Sequence, residues 1–204
     1  MTDTLPAPAT TAAAAPAAPP TWGDPLPLGL ASFGISALVL GAVNAGWVAA
    51  AATPGVLALA FALGFLTEIV AGVIHFRRGE QFAGVVFTTY AGFWLSFGLL
   101  VSVFLPQVPD AAAANDILAW FLLAWTVFTT YMLLAATRTT RTITLIFALL
   151  TATFWILTIA TFAGNAGLAQ FSGYVLVLDA VVALFLSASA IVNGTWGRTV
   201  IPAP

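Results

Sequence analysis

The chain has 204 residues, of which 61% are hydrophobic and only 6% are charged, and its formal net charge is −2. A soluble domain carries about 25% charged residues, so this composition excludes a water-soluble globular protein and indicates a polytopic membrane protein. The sequence contains no cysteine, a single histidine and five basic residues, which excludes disulfides and cysteine metal sites and provides no basic cluster for nucleic acid. We therefore expect no metal, no other cofactor and no nucleic-acid partner.

The first segment of the chain, residues 1–22, consists mainly of Ala, Pro and Thr and carries one charge, Asp3. Such a composition is typical of a disordered, low-complexity tail. The segment has neither the basic start nor the continuous apolar core of a signal peptide. We predict a tail over residues 1–22 and a transmembrane domain over residues 23–204.

An N-terminal motif, Asp24-Pro25-Leu26-Pro27-Leu28-Gly29-Leu30, begins the first membrane helix. Pro25 or Pro27 can occupy the first helical turn, where no backbone N–H is needed. The Asp24 carboxylate can accept hydrogen bonds from exposed N–H groups and complement the positive end of the helix. The stretch from Leu28 to Ala52 contains no charged residue. This uncharged stretch is long enough to span a bilayer.

Six apolar segments of membrane-spanning length follow one another along the chain. We place them at about residues 28–51, 55–75, 84–105, 117–136, 142–162 and 171–193. Helices satisfy their backbone hydrogen bonds internally, so a six-helix protein needs no sheet. The predicted fold class is an all-α integral membrane protein.

The distribution of basic residues predicts the topology. All five are arginines: Arg77, Arg78, Arg138, Arg141 and Arg198. With six spans, every one of them lies on the same side of the membrane, and the loops on the other side carry none. The positive-inside rule therefore predicts that both termini are cytoplasmic.

Two carboxylic acids, Glu68 and Asp179, lie inside predicted spans. A charge within a bilayer is costly, so such a residue is a candidate for function, and the alternative is a hydrogen bond to a neighbouring helix. The amides of Asn44 and Asn165 are each followed by Ala-Gly; they can contact a solute in a pore or tie two helices together. His75 has no partner histidine at metal-ligand spacing, and its place at a helix end favours a structural role over proton exchange.

The chain resembles the acetate uptake transporter family, the succinate/acetate permeases, from about Asp24 to Pro202. The matching residues are the N-terminal motif, Phe33-Gly34, Asn44-Ala45-Gly46, Ala71-Gly72, Arg77-Arg78-Gly79, Phe82, Tyr90, Phe93-Trp94, Ala163-Gly164-Asn165-Ala166, Asn193, Gly197-Arg198-Thr199-Val200 and Pro202. The chain departs from the family pattern at Asp24, where the family has Asn, at Glu68, where Gln is expected, and at His75, where Glu is expected.

The resemblance implies a six-helix protomer within a homo-hexamer, in which each protomer has a central pathway for small carboxylate anions. The family's hydrophobic constriction falls on Phe33, Tyr90 and Leu150, and Asn44, Asn165 and Glu68 are the polar candidates along the path. Helix geometry agrees with this assignment, because Phe33, Tyr90 and Leu150 lie at similar distances from the inner ends of their spans.

The function implied is transport of acetate and related small monocarboxylates, with succinate as a further candidate, across the cell's cytoplasmic membrane. The sequence leaves open whether the protein is a channel or a proton-coupled carrier. The alternatives are a pore for another small solute and a non-transporting membrane sensor or assembly subunit. No cluster of catalytic residues is present in the sequence, so we predict that the protein is not an enzyme.

Overall fold

The fold is a bundle of six long helices, which we describe from a computed structural model covering residues 22–202. The predicted tail lies outside these described residues, except for Trp22. The helices are α1 Leu26–Asn44, α2 Ala50–Arg77, α3 Gln81–Gln107, α4 Ala111–Ala136, α5 Arg141–Ala163 and α6 Ala166–Trp196. All six are long and apolar enough to cross a membrane, and residues 22–202 contain no β-strand. The predicted all-α, six-helix fold is confirmed.

The first helix is shorter than the predicted span of about residues 28–51, because it ends at Asn44. The chain then turns at Gly46, whose φ of 75° lies in the left-handed region. The backbone of Ala45 packs so closely on Gly173 of α6 that no Cβ fits between them. Hydropathy does not detect this end, since the residues of the turn are as apolar as those of the helix.

Several helix ends are fixed by side chains that bond the exposed backbone N–H groups. Asp110 accepts a hydrogen bond from the Ala112 nitrogen at 2.8 Å at the start of α4. Asn165 does the same for Leu168 at 3.0 Å at the start of α6. Because these groups satisfy the first turns, α4 and α6 begin earlier than the predicted positions of about 117 and 171.

Neighbouring helices pack antiparallel through small residues. Gly41 of α1 contacts Val177 of α6, and nearer the other end of the same pair the Ser187 hydroxyl donates to the Pro27 carbonyl at 2.6 Å. Between α2 and α3, a Cβ added to Gly72 would meet Thr88. Such close approach is what small residues allow in membrane helices.

The alternating direction of the helices brings all five arginines to one end of the bundle, which we call the arginine side. This end includes the α2–α3 and α4–α5 turns and the segment that follows α6. The N-terminal motif lies at the same end, since its Pro27 carbonyl contacts Ser187.

Candidate functional site

Two cavities follow one another along the bundle. The wide cavity, of about 240 Å³, is lined by residues that include Asn44, Leu122 and Phe154. The narrow cavity, of about 60 Å³, lies toward the arginine side and is lined by residues that include Leu26, Glu68 and Ile143. Together they form an interrupted path through the helix bundle.

Three side chains separate the two cavities, because they line both. They are Phe33 from α1, Tyr90 from α3 and Leu150 from α5. All three are almost fully buried: the exposed fraction is 8% for Phe33, 3% for Tyr90 and 5% for Leu150. The structure therefore brings the three predicted constriction residues together from three helices at the junction between the cavities.

The Tyr90 ring is held in a fixed position by its neighbours. Its hydroxyl shares a hydrogen bond with the Thr129 hydroxyl at 2.8 Å, and Thr129 in turn donates to the Trp125 carbonyl at 2.8 Å. The ring meets Phe128 edge-to-face, with 5.4 Å between the ring centres. Tyr90 thus presents a rigid aromatic wall at the constriction, and its one polar atom is already bonded to α4.

The wide cavity has an aromatic wall centred on Phe93. This ring packs edge-to-face against Trp125 at 5.1 Å and Phe154 at 5.5 Å, and it stacks on Phe97 at 5.7 Å. Phe93, Trp94 and Phe97 follow Tyr90 along one face of α3, and all of them line the wide cavity. Besides the Tyr90 hydroxyl and the Trp94 indole nitrogen, the polar side chains that line the wide cavity, among the described residues, are those of Asn44, Thr53, Thr153 and Thr161.

Glu68 faces the narrow cavity from α2 and is fully buried. The preceding segment, Ala60–Thr67, is π-helical, and such segments are frequent at functional sites. Among the described residues, neither carboxylate oxygen has a hydrogen-bond partner of regular geometry, although the Trp94 indole lies close enough to interact with the carboxyl group. Glu68 is therefore a buried acid with free bonding capacity beside the constriction.

The other intramembrane acid, Asp179, lies on α6. It is also fully buried, and it has no hydrogen-bond partner within residues 22–202. It does not line either cavity. Asp179 lies behind the wall of the path, whereas Glu68 is part of that wall.

The two asparagines differ in position. Asn44 is the last residue of α1 and lines the wide cavity. Asn165 lies outside both cavities, exposed in the α5–α6 turn, where its side chain caps α6. A cap and a wall residue both require a small polar side chain, which is why the sequence pattern does not separate them.

The N-terminal motif shapes the arginine side of the path. Pro25 precedes α1, Pro27 lies in its first turn, and the Asp24 carboxylate accepts from the Leu26 nitrogen at 3.0 Å. Gly29 lies so close to the Phe87 ring of the narrow cavity that no Cβ fits between them. The motif thus sets the position of α1 against α3.

A third, more open cavity of about 470 Å³ lies at the arginine side, and we call it the basic mouth. Its ionisable lining residues are Asp24, His75, Arg78 and Glu80. Glu80 bonds both His75 and Arg78. Sequence reasoning identified His75 at a helix end but did not find Glu80, although a His, an Arg and a Glu within six residues around Gly79 are a signal for such a cluster.

The described residues contain no group of three or more His, Cys, Asp and Glu side chains that could hold a metal. The fold and the site together define a multi-pass membrane protein with an interrupted path along its helix bundle. A model of the GPR1/FUN34/yaaH family matches residues 7–203. The chain therefore belongs to the GPR1/FUN34/yaaH family.

Several relatives of the chain are named as transporters or channels. The succinate-acetate/proton symporter SatP of Escherichia coli (strain K12) is 32% identical over 180 residues, which cover 88% of this chain and 94% of that protein. Ammonia transport outward protein 3 of Saccharomyces cerevisiae is 34% identical over 168 residues, which cover 79% of this chain and 60% of that protein. The solved structure of the bacterial acetate channel SatP superposes with a TM-score of 0.83 at 30% identity, covering 90% of this chain and 100% of that one.

Proposed function

We propose that the protein conducts acetate and related small monocarboxylates across the membrane. The path runs from the basic mouth through the narrow cavity, past Phe33, Tyr90 and Leu150, into the wide cavity. The observation that carries this proposal is that these three side chains line both cavities, as a gate in a pore must. The relatives named for acetate supply the substrate class.

The constriction fits a small acid with one apolar end. Phe33 and Leu150 offer only apolar surface, and bulky apolar side chains that meet in a narrow pore hold water poorly and can gate by dewetting. A methyl group can cross against these side chains at low cost, whereas each further carbon needs more room.

The test is uptake of radiolabelled acetate into proteoliposomes that contain the purified protein. We expect uptake well above that of empty liposomes, and inhibition by other small monocarboxylates. Uptake equal to that of empty liposomes would contradict the proposal and favour a sensor or an assembly subunit.

A second candidate function is passage of a neutral small solute such as ammonia. The relative named for ammonia transport and one structural observation support it: within the described residues, neither the wide nor the narrow cavity is lined by a Lys, Arg or His side chain. Uptake of labelled methylammonium into the same proteoliposomes tests this function. If the protein takes up methylammonium but not acetate, this second function replaces the first proposal.

One relative is named as a proton symporter, whereas the protein in the solved structure is named as a channel. We propose that Glu68 determines which behaviour this chain shows. An ionised carboxylate in the wall of the narrow cavity repels an anion, whereas a protonated one can donate a hydrogen bond to it.

We also propose a homo-hexamer in the cell's cytoplasmic membrane, with the arginine side and both termini in the cytoplasm. The family resemblance supports the hexamer, and the grouping of all five arginines at one end supports the orientation.

A further inference from the structure

The basic mouth adjoins the narrow cavity, and this position makes it the first part of the path on the arginine side. The two share the wall residues Leu26, Phe82, Ala83 and Ile143. His75 connects them further, since it lines the mouth and its ring stacks on Phe87 of the narrow cavity at 5.4 Å. A solute that enters from this side therefore passes the charged residues of the mouth first.

Arg78 is the one arginine of the chain that lines this cavity. The other four arginines are exposed, whereas only 15% of the surface of the Arg78 side chain is exposed. Among the described residues, neither cavity beyond the mouth is lined by a basic side chain. Arg78 and His75 are thus the cationic or proton-donating groups that a carboxylate meets on its way to the constriction.

Both groups already bind a carboxylate, which belongs to Glu80. The Arg78 Nε donates to one Glu80 oxygen at 2.9 Å, and His75 Nδ1 pairs with the other at 2.5 Å. Burial raises the pKa of Glu80, but the hydrogen bonds from His75 and Arg78 outweigh this effect and hold the pKa below its ordinary value. Glu80 therefore remains ionised at neutral pH.

This arrangement has the geometry of a carboxylate-binding site, with one donor for each oxygen. A second Arg78 nitrogen donates to the Trp22 carbonyl at 2.6 Å, so the guanidinium is held in place from two sides. Glu80 remains 39% exposed, and the mouth beside it is open. A small acid can therefore approach the donors that Glu80 occupies.

We propose that Arg78 and His75 form a binding site for the carboxylate of the permeating acid, and that Glu80 is an internal competitor for this site. The inference rests on the proposed function for the identity of the ligand. Acetate binds at the mouth only when the Glu80 carboxylate moves aside, so Glu80 lowers the affinity of the protein for the anion. Asp24, which also lines the mouth, adds a second negative charge that acts in the same direction.

The decisive variant is Glu80→Gln, which keeps the size of the side chain and removes its charge. We expect the KM for acetate uptake to fall by about tenfold, the size expected for the loss of one competing charge-assisted interaction, with little change in the maximal rate. Arg78→Gln should raise the KM, and the double variant should lose the gain of Glu80→Gln. Arg77→Gln, which removes an exposed arginine one residue away, is the matched control and should leave the KM unchanged.

A direct binding measurement separates this inference from the proposed function. Carbon-13-labelled acetate is titrated against the detergent-purified proteins, and binding is measured as line broadening of the acetate carboxyl resonance. The thermal stability of each variant is measured in parallel. Tighter binding to Glu80→Gln than to wild type supports the site even if no variant transports acetate. Unchanged binding and KM in Glu80→Gln, with or without a loss of thermal stability, would show that Glu80 only fastens the α2–α3 turn. If Glu80→Gln fails to fold, Glu80→Asp is the alternative variant. Its shorter side chain keeps the charge but reaches the two donors less well, so we expect it to lower the KM for acetate. An unchanged KM in Glu80→Asp would overturn the proposal.

Discussion

At the scale of single residues, the hydroxyl of Tyr90 is the polar atom of the proposed constriction. It is bonded to Thr129 at 2.8 Å, so a passing carboxylate must share or replace that bond. We predict that Tyr90→Phe keeps the size limit, raises the KM for acetate several-fold and lowers the free energy of unfolding by about 1 kcal/mol. Uptake kinetics and thermal unfolding in detergent measure these effects.

Tyr131→Phe is the matched control for Tyr90→Phe, since Tyr131 lies on α4 with 51% of its surface exposed. It should change neither kinetics nor stability. An unchanged KM in Tyr90→Phe would assign the hydroxyl to helix packing alone.

The carboxyl group of Glu68 lies in the wall of the narrow cavity and makes no regular hydrogen bond to any other described residue. We predict that Glu68→Gln retains uptake and alters its dependence on pH, because the amide cannot exchange a proton. Asp179→Asn, equally buried but outside both cavities, is the control and should keep the wild-type pH profile. Identical profiles for Glu68→Gln and wild type would assign Glu68 to packing.

Some residues of the site are predictable from sequence and others are not. The family resemblance assigns Phe33, Tyr90 and Leu150 to the constriction, and counting along helices of known rise agrees by placing them at one depth. The three side chains converge in the structure. Asn165 was expected along the path, yet it caps α6, because an Asn-Ala-Gly sequence suits a helix start as well as a pore wall. The link from Glu80 to His75 depends on how the α2–α3 turn folds back, which periodicity does not reveal.

At the scale of helices, hydropathy predicts how many there are but not where all of them end. Helix α1 ends where Gly46 makes a turn and the backbone of Ala45 contacts α6. In the sequence, both residues belong to an apolar run that does not indicate a helix end. Likewise the π-helical segment Ala60–Thr67 has no distinct composition. These features arise from packing between helices, which a single sequence does not encode locally.

A close backbone contact between helices joins Gly173 of α6 to Asn44 and Ala45 at the end of α1. Because backbone atoms cannot rotate away, we predict that Gly173→Ala forces α6 from α1 and lowers the free energy of unfolding by about 1–3 kcal/mol. Gly194→Ala on the same helix has open space around it and should leave stability unchanged or slightly higher. Thermal unfolding of the two variants in detergent provides the comparison; equal stability would mean that the α1–α6 contact is looser than described.

At the scale of the whole molecule, the arginines define one end, and the absence of cysteine makes that end easy to label. We predict that Thr139→Cys, in the exposed α4–α5 turn, reacts in intact cells only with a membrane-permeant thiol reagent. Ala113→Cys, exposed at the opposite end, should also react with an impermeant one. The reverse pattern would place the arginine side outside the cell.

We propose that solutes cross between the two cavities past Phe33, Tyr90 and Leu150. The most direct test of this proposal is size selection in proteoliposomes, measured as the ratio of butyrate to acetate uptake for Leu150→Ala and Phe33→Ala. Leu57→Ala is the control, because Leu57 is buried to a similar extent (8% exposed against 5% for Leu150) but lines neither cavity. All three truncations should cost about 2–5 kcal/mol of stability, so stability alone does not discriminate between them. We expect a higher butyrate-to-acetate ratio in Leu150→Ala and Phe33→Ala and the wild-type ratio in Leu57→Ala. A wild-type ratio in all three variants would show that solutes do not pass between these side chains.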